Sequence, residues 1–196
     1  MTAGHTRGGT TGVLLAAGAG TRYGQPKILA QRGLWLDTAV AALRRGGCDR
    51  VLVVLGAATP PLPSGAEAVF APHWAAGVSE SLRAGLRAAA EDPDAAFAVV
   101  HLVDLPDVGS RVVARVLDAA TRSPHGLARA CFGDRPGHPV VVARRHWHAA
   151  SESAVGDSGA REYLRERDSL VLRVPCGDLA TGADRDHPTG LDRAPD

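Results

Sequence analysis

Leu15-Ala16-Ala17-Gly18-Ala19-Gly20-Thr21-Arg22-Tyr23-Gly24-Gln25-Pro26-Lys27 follows directly on an apolar run, 12–16, that reads as a first strand. Small side chains let backbone amides approach an anion closely, and the segment adds two cations, Arg22 and Lys27. A loop of this kind folded around a triphosphate would bring both charges onto it. Ala16, Ala17, Gly18, Ala19, Gly20, Arg22 and Lys27 are therefore candidate nucleotide contacts. Two familiar alternatives fail on spacing. The dinucleotide fingerprint Gly-x-Gly-x-x-Gly needs its third glycine one residue before Gly24, and the second strand ends in Gly56 rather than in an acid for a ribose. The P-loop needs Gly-Lys followed by Ser or Thr, whereas Lys27 lies between Pro26 and Ile28.

Lysine usage points to the same loop. Lysine and arginine together number 22, and Lys27 is the only lysine among them. A compact ammonium acts as a point charge on a phosphate where a planar guanidinium would not fit. An arginine-rich composition with one surviving lysine is the plainer alternative.

Outward from the loop, short apolar runs bounded by Gly, Pro or Asp alternate with longer amphipathic stretches, the pattern of an α/β layer architecture. Strands are expected at 12–16, 50–55, 66–70, 98–103, 127–132, 139–143 and 170–174, and helices at 38–45, 79–90, 111–122 and 158–167. Asp37, Ser79, Ser110 and Asp157 or Ser158 are candidate helix caps, and Gly46-Gly47 is a stop. The expected organisation is one domain over 12–192, with flexible tails at 1–11 and 193–196.

The balance of 22 basic against 21 acidic residues gives no field that would gather nucleic acid or an anionic membrane. Three dispersed cysteines, Cys48, Cys131 and Cys176, form no Cys-x-x-Cys and suit a reducing cytoplasm. The run 13–17 is too short for a signal core or a membrane span, so a soluble cytoplasmic protein is expected.

Carboxylates for a metal are the second requirement. Asp104 ends the almost wholly apolar run 98–103, at the carboxyl edge of an expected central strand, where open α/β sheets bind ligands. A turn or cap role is its alternative. Downstream, Asp184-Arg185-Asp186 lies in a segment without helical periodicity. If it is extended, both carboxylates face one side and can converge on a hard cation; a solvated polar tail is the alternative. His146 and His148 flank Trp147, but a third zinc ligand at suitable spacing is missing.

The stretch 15–27 resembles the Leu-x-Ala-Gly-x-x-x-Arg-x-Gly-x-x-Lys signature of MobA-like nucleotidyltransferases, and Ala16-Ala17-Gly18 is closer to the molybdenum cofactor cytidylyltransferase (MocA-like) branch than to the guanylyltransferase branch. The resemblance runs from Val13 to Leu191. It implies a three-layer Rossmann-like nucleotidyltransferase fold with a mainly parallel central sheet. It also implies phosphate contacts from Arg22 and Lys27, and magnesium on the aspartate of the Asp-x-Pro element, here Asp104. Asp184-Arg185-Asp186-His187-Pro188 through Leu191-Asp192 resembles the family's closing Asp-x-Asp-Thr-Pro-x-Asp-Leu element, with His187 in place of threonine. Gly77 to Leu82 resembles the Gly-x-x-x-Ser-[Leu/Ile] segment, which makes Ser81 a contact for base or ribose. Arg135-Pro136-Gly137-His138-Pro139 and Gly156-Asp157-Ser158-Gly159-Ala160-Arg161 resemble acceptor-side motifs, which puts His138, Asp157 and Arg161 on the acceptor.

The implied reaction is Mg-dependent transfer of a nucleoside monophosphate from CTP or GTP, leaning to CTP, onto the phosphate of molybdopterin or its molybdenum cofactor, with release of pyrophosphate. Guanylyl transfer to another small phosphorylated acceptor stays open. So does a non-catalytic carrier serving a client molybdoenzyme.

Overall fold

Seven short runs rich in Val, Leu and Ala pair into one sheet in the computed structural model, which describes residues 8–186. The strands are β1 (Gly9–Leu15), β2 (Arg50–Leu55), β3 (Ala66–Phe70), β4 (Ala95–Leu102), β5 (Leu127–Phe132), β6 (Arg135–Ala143) and β7 (Leu172–Pro175). The helices are α1 (Leu34–Arg45), α2 (Val78–Ala90), α3 (Ser110–Arg122), α4 (Trp147–Ser153) and α5 (Arg161–Glu166). Strand order is β3-β2-β1-β4-β6-β5-β7. The sheet is mostly parallel, and β6 alone runs against its two neighbours, β4 and β5.

Alternation along the apolar run 13–17, the end of β1 and the two residues after it, shows why three layers form. Leu14 and Ala16 face a core shared with α1 and α3, whereas Val13, Leu15 and Ala17 face a core shared with α2, α4 and α5. Successive strand residues point to opposite faces, so a strand apolar at every position must be covered on both sides. Leu14, Leu43 and Leu52 are wholly buried, and truncating any of them to alanine costs about 2–5 kcal/mol.

Several expected boundaries move. Residues 9–11, expected in the tail, belong to β1 and pair with β4. Helix α1 begins at Leu34 rather than 38, because Gly33 (φ 89°) turns the chain in, so Asp37 lies inside the first turn instead of capping it. Ser79 and Ser110 likewise fall within their helices, whose N-cap residues are Gly77 and Gly109 and so offer no capping side chain. The single helix expected over 158–167 is split: a 3-10 turn, Gly156–Ser158, is separated from α5 by Gly159, whose φ is 52°. Helix α4 is an addition to the expected set. The tails 1–7 and 193–196, together with His187 to Asp192 of the closing element, lie outside the described residues. Among the described residues no helix is long and apolar enough to cross a membrane.

Candidate functional site

The loop after β1 is held open by its glycines. Gly20 has φ 62°, and a Cβ there would stand 1.9 Å from the Gln25 carbonyl oxygen, so only glycine fits. The amides of Tyr23 and Gly24 both donate to Gly20 O, closing a turn. The amides of residues 18–22 make no hydrogen bond among the described residues, and a Cβ at Gly18 would meet open space. A row of free amides beside two cations is an anion cradle. Ala16 and Ala17 fit that role less well than expected. The Ala16 amide donates to Val54 O at 3.1 Å, and both methyl groups are buried in the two cores.

Lys27 reaches from this loop across the carboxyl edge of the sheet. Its Nζ donates to Asp104 Oδ2 at 2.8 Å and to Asp186 Oδ1 at 2.7 Å, while Arg22 donates to Asp186 Oδ2 at 3.2 Å. Four residues separated by up to 164 positions therefore meet in one cluster. Burial disfavours the ammonium, but its hydrogen bonds to Asp104 and Asp186, with the negative charge of both, outweigh it and hold the Lys27 pKa above its ordinary value. Asp104 follows β4 by two residues, and its Oδ1 is buried without a hydrogen-bond partner among the described residues.

The segment carrying Asp184 and Asp186 is strapped in place. Cys176 N donates to Cys131 O, Arg115 grips Asp178 with two hydrogen bonds, Thr181 donates its amide and its hydroxyl to Asp107 Oδ2, and Arg185 N donates to Asp104 O. Burial, and then repulsion from Asp104 and Asp186, raises the pKa of Asp184. Asp184 thus senses both carboxylates of the cluster. Among the described residues no group of three or more His, Cys, Asp or Glu is already gathered as a metal cage. Asp104 and Asp186 are nonetheless hard oxygen donors of the kind magnesium takes, one or two at a time, alongside substrate phosphates.

Beside this cluster opens a cleft of about 500 Å³. His138, Asp157, Arg161 and Asp184 all line it, so the expected acceptor-side residues share one wall system. Nδ1 of His138 donates to Val100 O at 3.3 Å, and burial pushes its pKa down to about 4, leaving a neutral ring. Asp157 does not cap α5; its Oδ1 accepts the Val78 amide at the start of α2, at 3.3 Å. Gly77 fits against the Gly156 backbone, where a Cβ would stand at 2.5 Å, so two motifs far apart in sequence touch. Ser81 does not line the cleft; it is 5% exposed in the first turn of α2. His146 is fully engaged, accepting from Tyr163 OH at 2.7 Å and donating to His125 O at 2.8 Å, which leaves no nitrogen for zinc. Sequence reasoning passes over Arg129 of β5, and its place on the cleft wall follows only from strand pairing.

The sequence pattern of the MobA-like NTP transferase domain matches residues 12–170. The chain belongs to the MobA-like NTP transferase family. It is a nucleotidyltransferase of this fold, and the family implies an NTP substrate and a phosphorylated acceptor. Nicotine blue oxidoreductase of Paenarthrobacter nicotinovorans is 36% identical over 191 residues, covering 90% of this chain and 91% of the relative. That relative is itself MocA-like, in line with the branch suggested by Ala16-Ala17-Gly18. The Mycobacterium tuberculosis Rv0371c homologue from Mycobacterium sp. strain JC1 superposes with a TM-score of 0.72 at 28% identity, covering 91% of this chain and 90% of that one. The 2-C-methyl-D-erythritol 4-phosphate cytidylyltransferase of Thermus thermophilus shares the fold, with a TM-score of 0.66 at 24% identity over 93% and 94% of the two chains.

Proposed function

We propose that this member transfers a nucleoside monophosphate, with CTP as the preferred donor, to the phosphate of a molybdopterin-type acceptor in a magnesium-dependent reaction. The observation that carries the reading is the Lys27–Asp104–Asp186–Arg22 cluster at the mouth of the free-amide loop. Without nucleotide, the two cations neutralise the two carboxylates. With a triphosphate in place, Lys27 and Arg22 would turn to its phosphate oxygens, and Asp104 and Asp186 would be free to hold magnesium, whose chemistry would be to neutralise phosphate charge and favour displacement at the α-phosphorus.

The remaining work falls to the chain. The loop amides and Lys27 stabilise charge on the departing β- and γ-phosphates. The acceptor phosphate attacks the α-phosphorus, a P–O bond forms, the bond to the β-phosphate oxygen breaks, and pyrophosphate leaves. The attacking oxygen is already ionised near neutral pH, so no general base is needed, and neutral His138 serves as a wall of the cleft. The test is incubation of the chain with each triphosphate, magnesium and a set of acceptors, scored by pyrophosphate release. CTP-dependent release with molybdopterin supports the reading; release with GTP alone, or with another phosphorylated acceptor alone, replaces the finer assignment.

The relative's name supports a second reading, an oxidation or reduction of a small molecule in the same cleft. It predicts turnover of a nicotinamide dinucleotide and no pyrophosphate. The missing dinucleotide fingerprint in 18–24 argues against it.

A further inference from the structure

The cleft has an apolar floor and an unbalanced wall. Leu82, Leu86, Val100, Val140, Val142 and Leu164 form the floor, while Arg129, Arg135 and Arg161 face Asp157 and Asp184. Among the described residues the carboxylates form no ion pair with these arginines: Asp157 accepts the Val78 amide, and Asp184 lies toward Asp104 and Asp186, with Arg135 attracting it only weakly. Arg135 donates to Thr181 O at 3.2 Å. Arg161 is exposed and makes no hydrogen bond or ion pair among the described residues. Arg129 is the unusual member. Its Nε is buried with no hydrogen-bond partner among the described residues, and the nearby carboxylate, Asp168, is held by two bonds from Arg173 at 2.8 and 3.0 Å. Burial lowers the Arg129 pKa, and the guanidinium groups of Arg173 and Arg161 push the same way. Leaving a buried guanidinium donor unsatisfied is costly, so a ligand that supplies the missing acceptor recovers that cost on binding.

We propose that Arg129, assisted by Arg161, is an anion subsite for the acceptor, and that the acceptor joins a ring-sized apolar body, seated on the Leu82–Val100–Val140 floor, to an anionic oxygen group. This rests on the reading of the cleft as the acceptor side. Arg129, His138 and Asp184 line the same cleft, so an anion on Arg129 shares it with the residue that lies toward Asp104 and Asp186. A guanidinium presents paired donors to phosphate or carboxylate alike, and the apolar floor excludes an acceptor that is merely a polar sugar phosphate.

The experiment is calorimetric titration of the full chain with 1-naphthyl phosphate, 1-naphthoate and 1-naphthol, in the wild type and in Arg129→Met and Arg161→Gln. The anionic probes should bind about ten- to a hundredfold more tightly than naphthol. Arg129→Met should remove that advantage while CTP affinity is kept, and Arg161→Gln should reduce it by a smaller factor. Arg161 is exposed, so its variant decides the question if Arg129→Met does not fold. Equal binding of naphthol and the anions, or anion binding unchanged in the variants, overturns the proposal. Because no nucleotide is consumed, loss of transfer activity with all acceptors would sink the functional reading and leave this result standing.

Discussion

The two ends of the site solve opposite electrostatic problems. At the loop end, Lys27 and Arg22 already hold Asp104 and Asp186, so each of these four charges has a partner before substrate arrives. At the cleft end, Arg129 and Arg161 stand over an apolar floor with no carboxylate bound to them among the described residues. A paired cluster can exchange partners at little cost, since the ammonium meets oxygens before and after. An unpaired guanidinium gains its interaction only on binding. The first arrangement suits a highly charged ligand that brings its own counter-ion, and the second suits selection of an acceptor.

The largest expected effect tests the loop end. Lys27→Met should lower kcat/KM for pyrophosphate release by roughly a hundred- to a thousandfold, as removal of one preorganised charge donor does elsewhere. Asp104→Asn should do the same, and the double variant should lose little more, because the two act as a unit. Additive losses would break the view that they form one cluster.

Next comes acid stability. Fully buried His101 has no partner on either ring nitrogen among the described residues, and burial pushes its pKa down to about 3 from 6.5. Between those values the unfolded chain binds the extra proton, so stability is full above pH 6.5 and falls as pH drops toward 3, by up to about 1.4 kcal/mol per pH unit. Urea midpoints measured from about pH 7 to 4 should show that slope, flattened in His101→Leu.

Gly20→Ala should cost about 2 kcal/mol or more in chemical denaturation, since it combines a left-handed backbone with a clash at the Gln25 carbonyl. It should also weaken CTP binding without touching naphthyl phosphate binding, which sharpens the separation of the two ends. The smallest effect is at the strap. Asp107→Asn weakens the hold on Thr181 and should cost about 1 kcal/mol, seen as a modest rise in KM through looser placement of Asp186.

The same contrast explains what is legible in the sequence. The loop end is readable because its chemistry is contiguous: Gly18, Gly20, Arg22 and Lys27 lie in one connection, and Asp104 follows a run apolar on both faces. The parallel α/β architecture follows from that alternation. The cleft end depends on pairings that local pattern does not carry. Arg135-Pro136-Gly137 reads as a lead-in to a strand and is the start of antiparallel β6 itself. Helix α4 hides in a His- and Ala-rich stretch, and Gly159 breaks what periodicity joins into one helix. Arg129 is invisible because only the register of β5 with β6 and β7 turns it into the cleft. Asp157 reads as the cap of its own helix, yet its partner is 79 residues away.

The most direct test of the central claim is a crystal structure of the chain with CTP and magnesium. Lys27 Nζ is expected on a phosphate oxygen, with the amides of residues 18–22 around the triphosphate and Asp104 and Asp186 on the metal. A nucleotide bound elsewhere, with Lys27 still paired to both aspartates, would contradict it.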